Sequence, residues 1–179
     1  MPTAAVPGIE VRLLTAADAP AYRDLMLHAY AAAPDAFTST PEERAREPLD
    51  WWVRRIGGPA TLSRAFGAFA AGGALVGAVA LEGSAKPKNR HKAHLVGMFV
   101  RETMRGHGAG RALVEAALAH ARDVLEIEAV DLTVTEGNAH ALQLYRACGF
   151  REWGVEPKAV RLAAGFKAKV HMTCDLASR

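Results

Sequence analysis

Two hydrophobic periods run through the chain, and the switches between them predict its elements. Val11 and Leu13, just after Pro7 and Gly8, form a short extended run, and Thr15 with Asp18 three positions later makes a helix-start capping arrangement. From Asp18 to about Ala32 the positions Ala21, Leu25 and His28 or Ala29 recur at helical spacing, and the helix ends before Pro34. Thr40-Pro41-Glu42-Glu43 opens a second helix, with a hydroxyl cap, a proline in the first turn and acidic residues at the positive end of the helix dipole. Pro48 breaks or kinks the chain, so Trp51 to Ile56 is expected as a separate turn of helix.

Ser63–Ala71 and Ala74–Leu81 flank Gly72-Gly73, whose tolerance of positive φ suits a tight hairpin. Gly83 to Lys92 carries Lys86, Lys88, Arg90, His91 and Lys92 and reads as an exposed connection. His94 to Val100 is apolar on both alternating sets, with Val96, Met98 and Val100 on one face and Leu95 and Phe99 on the other. That pattern predicts a strand buried on both faces at the centre of the sheet. After a glycine-rich turn, Val114, Ala117, Leu118, Ala121 and Leu125 mark the buried stripe of a helix. Ala129 to Thr135 alternates Val130, Leu132 and Val134 as a strand, and Ala141, Leu144, Tyr145 and Cys148 form another helical stripe stopped by Gly149. Phe150–Val155 and Lys167–Leu176 complete the strands. The alternation gives an α/β fold in mixed order, a twisted central sheet with helices on both faces.

At 179 residues, 50% of them hydrophobic and 23% charged, the chain suits one domain over residues 1–179 and not a disordered segment. The net charge of +3 suits an anionic ligand but falls short of the dense basic stripe of a dedicated nucleic-acid binder. An aromatic content of 7% gives little support for base stacking beside the Lys86–Lys92 loop, so no nucleic-acid partner is expected. Cys148 and Cys174 make neither a disulfide framework nor a zinc site, which points to a reducing cytoplasm and no metal. Met1 to Ile9 lacks the basic-then-apolar order of a secretory signal and reads as a frayed tail. The most apolar stretch, Ala65 to Leu81, is cut by Gly67, Gly72, Gly73 and Gly77 and is too short to span a bilayer, so no membrane partner is expected.

Arg105-Gly106-His107-Gly108-Ala109-Gly110 lies between the central strand and the amphipathic helix. Glycines there let backbone N–H groups converge at a helix start, an anion site that would take a pyrophosphate. No Gly-Lys-Ser/Thr comes next and the full G-x-G-x-x-G spacing is missing, which disfavours both nucleotide classes; a tight turn without a ligand is the competing account. A second cluster runs from Asn138 through Tyr145 to Gly149 and Phe150. The two clusters together closely resemble the signatures of the GNAT superfamily of acyl-CoA-dependent N-acyltransferases. One is Arg105-x-x-Gly108-x-Gly110 opening a helix after a central strand; the other is Asn138, Ala141, Leu144 and Tyr145 with Gly149-Phe150 after them. The resemblance is clearest from about Ser63 to Val155, and before Ser63 it extends to element order only.

This resemblance implies a mixed, mostly antiparallel sheet, acetyl-CoA as acyl donor, and an amine acceptor that attacks the thioester directly with no covalent enzyme intermediate. It implies that the backbone of Met98, Phe99 and Val100 pairs with the pantetheine arm as an added strand. Arg105, Gly106, His107, Gly108, Ala109, Gly110 and Arg111 would hold the pyrophosphate, and Tyr145 would protonate the departing thiolate. Asn138 suits both a bond to the cofactor's amide arm and an N-cap. An amine with a lysine-like pKa of roughly 10 must lose a proton before it attacks. Glu82, His94 and Glu136, each at a strand end, are candidate bases by location only, and each taken singly reads first as a solvated carboxylate or, for His94, a partly buried histidine bonded to backbone; Glu82 and His94 join Tyr145 as the expected catalytic set. Cys148 has no charged partner at defined spacing and is expected to pack. Trp51 and Trp52 suit an acceptor pocket or the core, and Arg44, Arg46, Arg54 and Arg55 favour an anionic acceptor if they face the cleft. A homodimer is a habit of the family. The competing class is a non-catalytic acyl-CoA-binding sensor, which would bind without turnover.

Overall fold

The structure, a computed structural model, describes residues 8–58 and 61–177. The chain runs β1 (Ile9–Leu13), α1 (Ala19–Ala32), α2 (Pro41–Ala45), α3 (Leu49–Ile56), β2 (Ser63–Ala70), β3 (Leu75–Gly83), β4 (Lys92–Val100), α4 (Ala109–Asp123), β5 (Ala129–Thr135), α5 (Ala139–Ala147), β6 (Arg151–Leu162) and β7 (Gly165–Asp175). The strands form one seven-stranded sheet in the order β1-β2-β3-β4-β5-β7-β6. Every neighbouring pair is antiparallel except β4 with β5, which is parallel. The expected mixed, mostly antiparallel architecture is therefore present. No helix among the described residues is long and apolar enough to cross a membrane.

Local chemistry sets the element ends. Asp18 accepts from the Thr15 backbone N–H at 2.8 Å and from its hydroxyl at 3.0 Å, while Arg12 donates to both Asp18 oxygens at 2.9 Å, fixing the entry to α1. Thr40 Oγ1 accepts from the Glu43 N–H at 3.1 Å, and Pro48, with extended backbone, stands at the residue before α3 without a side-chain cap bond. The β2–β3 hairpin turns through Gly73 at φ +79°, as Gly72-Gly73 predicts.

A hydrophobic core lies on each side of the sheet. One joins α4 and α5 to Val79, Leu81, Leu95, Val130 and Leu132, and contains the predicted stripe Val114, Ala117, Leu118 and Ala121. The other joins α1 and α3 to Ala78, Ala80 and Phe99, with Trp52 fully buried within it.

Several expectations need correction. In α1 the buried stripe is Tyr22, Leu25, Met26, Ala29 and Tyr30, whereas Ala21 and His28 are not part of it. The larger apolar side chains take the core face and turn the helix away from the expected register. Ile9 belongs to β1 and not to a tail; the stretch Met1 to Pro7 of the expected tail lies outside the described residues. The last two strands form a longer hairpin than Phe150–Val155 and Lys167–Leu176 suggested, because β6 is an edge strand whose side chains are largely exposed and carries little apolar patterning.

The most consequential correction concerns β4. Its register with β3 slips between Ala78↔Phe99 and Ala80↔Val96, so that Gly97 and Met98 together face Val79. This is a β-bulge, with Gly97 at φ +63°, a conformation that favours glycine. The extra residue breaks the period of two. Leu95, Met98 and Val100 face the α4 side, while Val96 and Phe99 face α1 and α3. Nor is the strand buried throughout: Lys92 and His94 are exposed, and Val96, Gly97 and Met98 are half-buried beside a cavity.

Candidate active site

β4 and β5 pair only through Lys92–His94 with Ala129–Asp131. β5 continues to Thr135 paired with β7 on its other side, so beyond His94 the β5-facing edge of β4 has no strand partner among the described residues. The parted strands open a cavity of about 890 Å³ lined by residues 95–100 of β4, residues 133–135 of β5, the start of α4, α5, and the 33–39 segment after α1. Backbone donors and acceptors along an unpaired but largely buried edge require partners. An extended ligand carrying amides fits that edge as a strand would.

At one end of the cavity the chain passes from a short 3-10 turn, Glu102–Met104, through Arg105 into α4. Gly106 and Gly108 lie at φ +79° and +82°, and Gly108 is the N-cap of α4. The N–H groups of the first helical turn have no intrahelical acceptor, and the dipole adds partial positive charge. At Gly110 an added Cβ would come within 3.2 Å of Met98 Cε and 3.4 Å of Leu144 Cδ2, so glycine lets α4 start close against β4 and α5. The turn fits a diphosphate. Its side chains are tied elsewhere: Arg105 Nε donates to the Val100 carbonyl at 3.3 Å, its Nη2 lies 3.5 Å from Glu102, and Arg111 pairs with Glu115 at 2.7 Å. His107 is exposed, with Nδ1 2.9 Å from the Arg105 carbonyl oxygen, and does not line the cavity. Met98, Phe99, Val100, Arg105, Gly106, Gly108, Ala109, Gly110, Arg111, Asn138 and Tyr145 all do.

Asn138 caps α5, its Oδ1 accepting from the Ala141 N–H at 3.1 Å, while the residue also borders the cavity. Tyr145 is 7% exposed and meets Phe150 edge to face at 5.7 Å. Burial, with a smaller contribution from Cys148, drives its hydroxyl pKa well above the ordinary tyrosine value, so the phenol stays protonated. Cys148 is buried in the core and does not line the cavity.

The other predicted residues separate. Glu82 and His94 face each other across the β3–β4 register, and neither lines the cavity. Glu82 is joined to it through Arg55, whose Nη1 donates to Glu82 at 2.7 Å and which does line it. Burial pulls the Arg55 guanidinium down, but Tyr22, Glu82 and Tyr30 outweigh it and the pKa is raised. Glu136 is exposed, accepting from the Ala168 N–H at 3.4 Å. Trp52 belongs to the core; Trp51 carries Arg44 at 4.7 Å and Arg55 at 5.4 Å over its ring. Arg46 and Arg54 are exposed away from the cavity.

Sequence reasoning missed the wall formed by Tyr30, Ala33, Ala36, Phe37, Thr38 and Ser39, together with Lys169. Lys167 pairs with Asp35 at 2.7 Å and Lys169 donates to Thr38 at 2.9 Å, contacts spanning 132 and 131 positions. No local pattern signals them. Among the described residues no group of three or more His, Cys, Asp or Glu gathers to hold a metal ion.

Known proteins share this fold. A GCN5-related N-acetyltransferase from Kribbella flavida superposes with a TM-score of 0.81 at 23% identity, covering 96% of this chain and 100% of that one. The spermidine N-acetyltransferase of Vibrio cholerae, solved with CoA and spermine, gives 0.75 at 19% identity, covering 96% and 97%. An N-alpha-acetyltransferase of Sulfurisphaera tokodaii is 38% identical over 61 residues, a stretch that spans 34% of this chain and about a third of that relative, 36%. Residues 23–150, which carry β2 through α5 and the glycine turn, match the acetyltransferase (GNAT) family as a whole, and this chain belongs to it.

Proposed function

We propose that the protein transfers an acetyl group from acetyl-CoA to a primary amine by direct attack. The observation that carries this reading is the continuity of one cavity from the glycine turn at α4, along the unpaired edge of β4, to Tyr145 and the 33–39 wall. Acetyl-CoA supplies the activated acyl group. The first-turn amides of α4 hold its diphosphate, and the free edge of β4 at residues 98–100 orients its amide arm. Tyr145, kept neutral by burial, gives its proton to the departing sulfur. The amine approaches from the side of α1 and α3, where Val96, Phe99 and Arg55 border the cavity. Water running past Arg55 carries the amine's proton to Glu82, with His94 across the register as the second group on that side. No cysteine lines the cavity among the described residues, which supports direct attack over a thiol intermediate. The spermine bound to the Vibrio cholerae neighbour supports an amine as the acceptor class.

The test is amine-dependent release of CoA thiol from acetyl-CoA, with acetyl-CoA binding measured separately by calorimetry. Binding with turnover is expected. Binding without turnover against a broad amine panel would instead identify a sensor, and no binding would refute the cofactor site.

A further inference from the structure

Behind the α1 and α3 side of the cavity, three enclosed polar atoms have no hydrogen-bond partner among the described residues: Tyr22 Oη on α1, and Trp52 Nε1 and Arg55 Nε on α3. They belong to neighbouring side chains. The Tyr22 and Trp52 rings meet edge to face at 5.9 Å, and Trp52 and Arg55 stand three residues apart on α3. Tyr22 and Arg55 are close enough to bias each other's ionisation, and Tyr30 and Glu82 bear on both. Tyr22 Oη also lies against the β4 bulge, where a Cβ built on Gly97 would come within 3.7 Å of it. Gly97 and Arg55 both line the cavity, so these atoms sit directly behind its wall, at a point where glycine leaves that wall no side chain.

A buried hydroxyl or N–H without a partner is costly, and folded proteins meet such groups with protein atoms or with ordered water. The chemistry of the set selects the occupant. Arg55 Nε and Trp52 Nε1 can only donate, whereas the Tyr22 hydroxyl donates and accepts, and burial keeps it neutral by raising its pKa to about 12. An anion is disfavoured, because Glu82 already balances the guanidinium through Arg55 Nη1 at 2.7 Å. A water molecule suits, accepting from nitrogen and donating to the phenol oxygen. Glu82 lies on the same side of the sheet, two residues past Ala80 on the β3 face that α1 and α3 cover.

We infer that Tyr22 and Arg55 hold a water molecule behind Gly97, and that Tyr22 is a positioning residue whose hydroxyl fixes the first water on the route from the acceptor amine to Glu82. An N–H bond of the ammonium breaks, the water takes that proton, and one of its own passes through solvent to the Glu82 carboxylate. A neutral amine and a neutral carboxylic acid result, the water is regenerated, and Tyr22 keeps its proton throughout. The inference rests on the acyl-transfer reading and adds to it a residue that does not itself line the cavity.

The experiment compares wild type with Tyr22→Phe, which removes one oxygen and keeps the ring against Trp52. Thiol release is followed as kcat against pH for the panel amine of highest turnover, with calorimetric Kd for acetyl-CoA and a crystal structure of the wild type alongside. In Tyr22→Phe, kcat at pH 7 is expected to fall about tenfold, less than the roughly 100-fold that loss of a base itself costs. The loss should shrink toward about pH 10, where a lysine-like amine arrives already neutral, and acetyl-CoA affinity should stay within about twofold. In a Glu82→Gln background the same substitution should cost less than about twofold, because the route it serves no longer has an end. The crystal structure should show a water bonded to both Tyr22 Oη and Arg55 Nε. A loss equal at both pH values, no loss at pH 7, or an effect undiminished in the Glu82→Gln background would overturn the inference and leave acetyl transfer standing. So would a direct Tyr22–Arg55 hydrogen bond with no water between them. Acetyl-CoA binding without turnover of any amine would remove the acyl-transfer reading and the proton route with it, while the crystal structure would still decide the water site.

Discussion

Replacing Tyr145 by Phe isolates one oxygen. The ring stays, with its edge-to-face contact to Phe150 at 5.7 Å, so the packing that holds α5 against the sheet is retained. The lost group borders a cavity, and the expected change in unfolding free energy is within about 1 kcal/mol. The rate effect depends on the leaving group. A free thiol has a pKa near 8.5, roughly two units below an amine, so the sulfur departs without needing a fully transferred proton. General acids contribute about 100- to 10,000-fold, and an easily expelled thiolate places Tyr145 at the lower end, about 100-fold in kcat or ~2.7 kcal/mol. Because burial raises the hydroxyl pKa, wild-type kcat should show no alkaline loss from this group below about pH 10. The assay is single-turnover thiol release with saturating acetyl-CoA, alongside calorimetric Kd for acetyl-CoA. A kcat within threefold of wild type refutes the proton-donor role. An equal loss in kcat and in acetyl-CoA affinity reassigns Tyr145 to binding.

Gly108→Val places a β-branched residue at φ +82° in the turn that aims the α4 amides, and acetyl-CoA affinity should fall at least tenfold by calorimetry, a cost of about 1–2 kcal/mol in backbone strain alone. Asp18→Asn removes the charge and one of the two accepting oxygens that serve Thr15 and Arg12, and should lower unfolding free energy by about 1–2 kcal/mol in urea titrations at pH 7. The Arg12 hydrogen bonds hold the Asp18 pKa well below its ordinary value, so the wild-type advantage is full above about pH 4 and shrinks as pH falls below it. Burial raises Tyr22 to about 12 and moves Tyr30 and Tyr145 upward as well, so all three tyrosines favour the neutral phenol in the fold. Stability from Tyr22, about 2–3 kcal/mol, is complete below pH 10 and is lost as pH rises through about 12; phenolate absorbance should therefore appear together with unfolding, and ionisation near pH 10 in a folded protein would contradict it.

What the sequence discloses depends on whether the governing contact is local. The α4 stripe and the alternation over Ala129–Thr135 are legible because a long helix and a strand with one regular ladder keep their periods. The glycine turn and the Asn138 cap are legible because both are made within a few residues. The faces of β4 are not, since one added residue at Gly97 inverts every later position, and a glycine inside an apolar run looks the same whether or not it bulges. The expected acceptor residues divide for the same reason. Arg55 reaches the cavity while Arg54 and Arg46 do not, a difference set by helix phase and by the packing of Trp51 and Trp52. Asp35 and Thr38 meet β7 across more than a hundred positions, and nothing near them announces it.

The β4 bulge and the parting of β4 from β5 act as one device. Before the bulge, Leu95 faces the α4 side and Val96 the α1 side; a regular strand would then return Phe99 to the α4 side and Val100 to the other. The slip reverses this, setting Phe99 against α1 and α3 and Met98 and Val100 against α4, at the stretch where the edge toward β5 loses its partner. A single strand therefore walls both halves of the cavity, apolar on each face and hydrogen-bonding along its open edge. Two reactants admitted from opposite faces of a sheet can meet only through such an opening. Once held there, their loss of translational freedom supplies rate without a nucleophile from the protein, since effective molarities of about 10⁵ M and above are typical of well-oriented pairs. The proposed direct attack is thus a chemistry that a parted sheet suits, and the side chains around the opening need only manage protons.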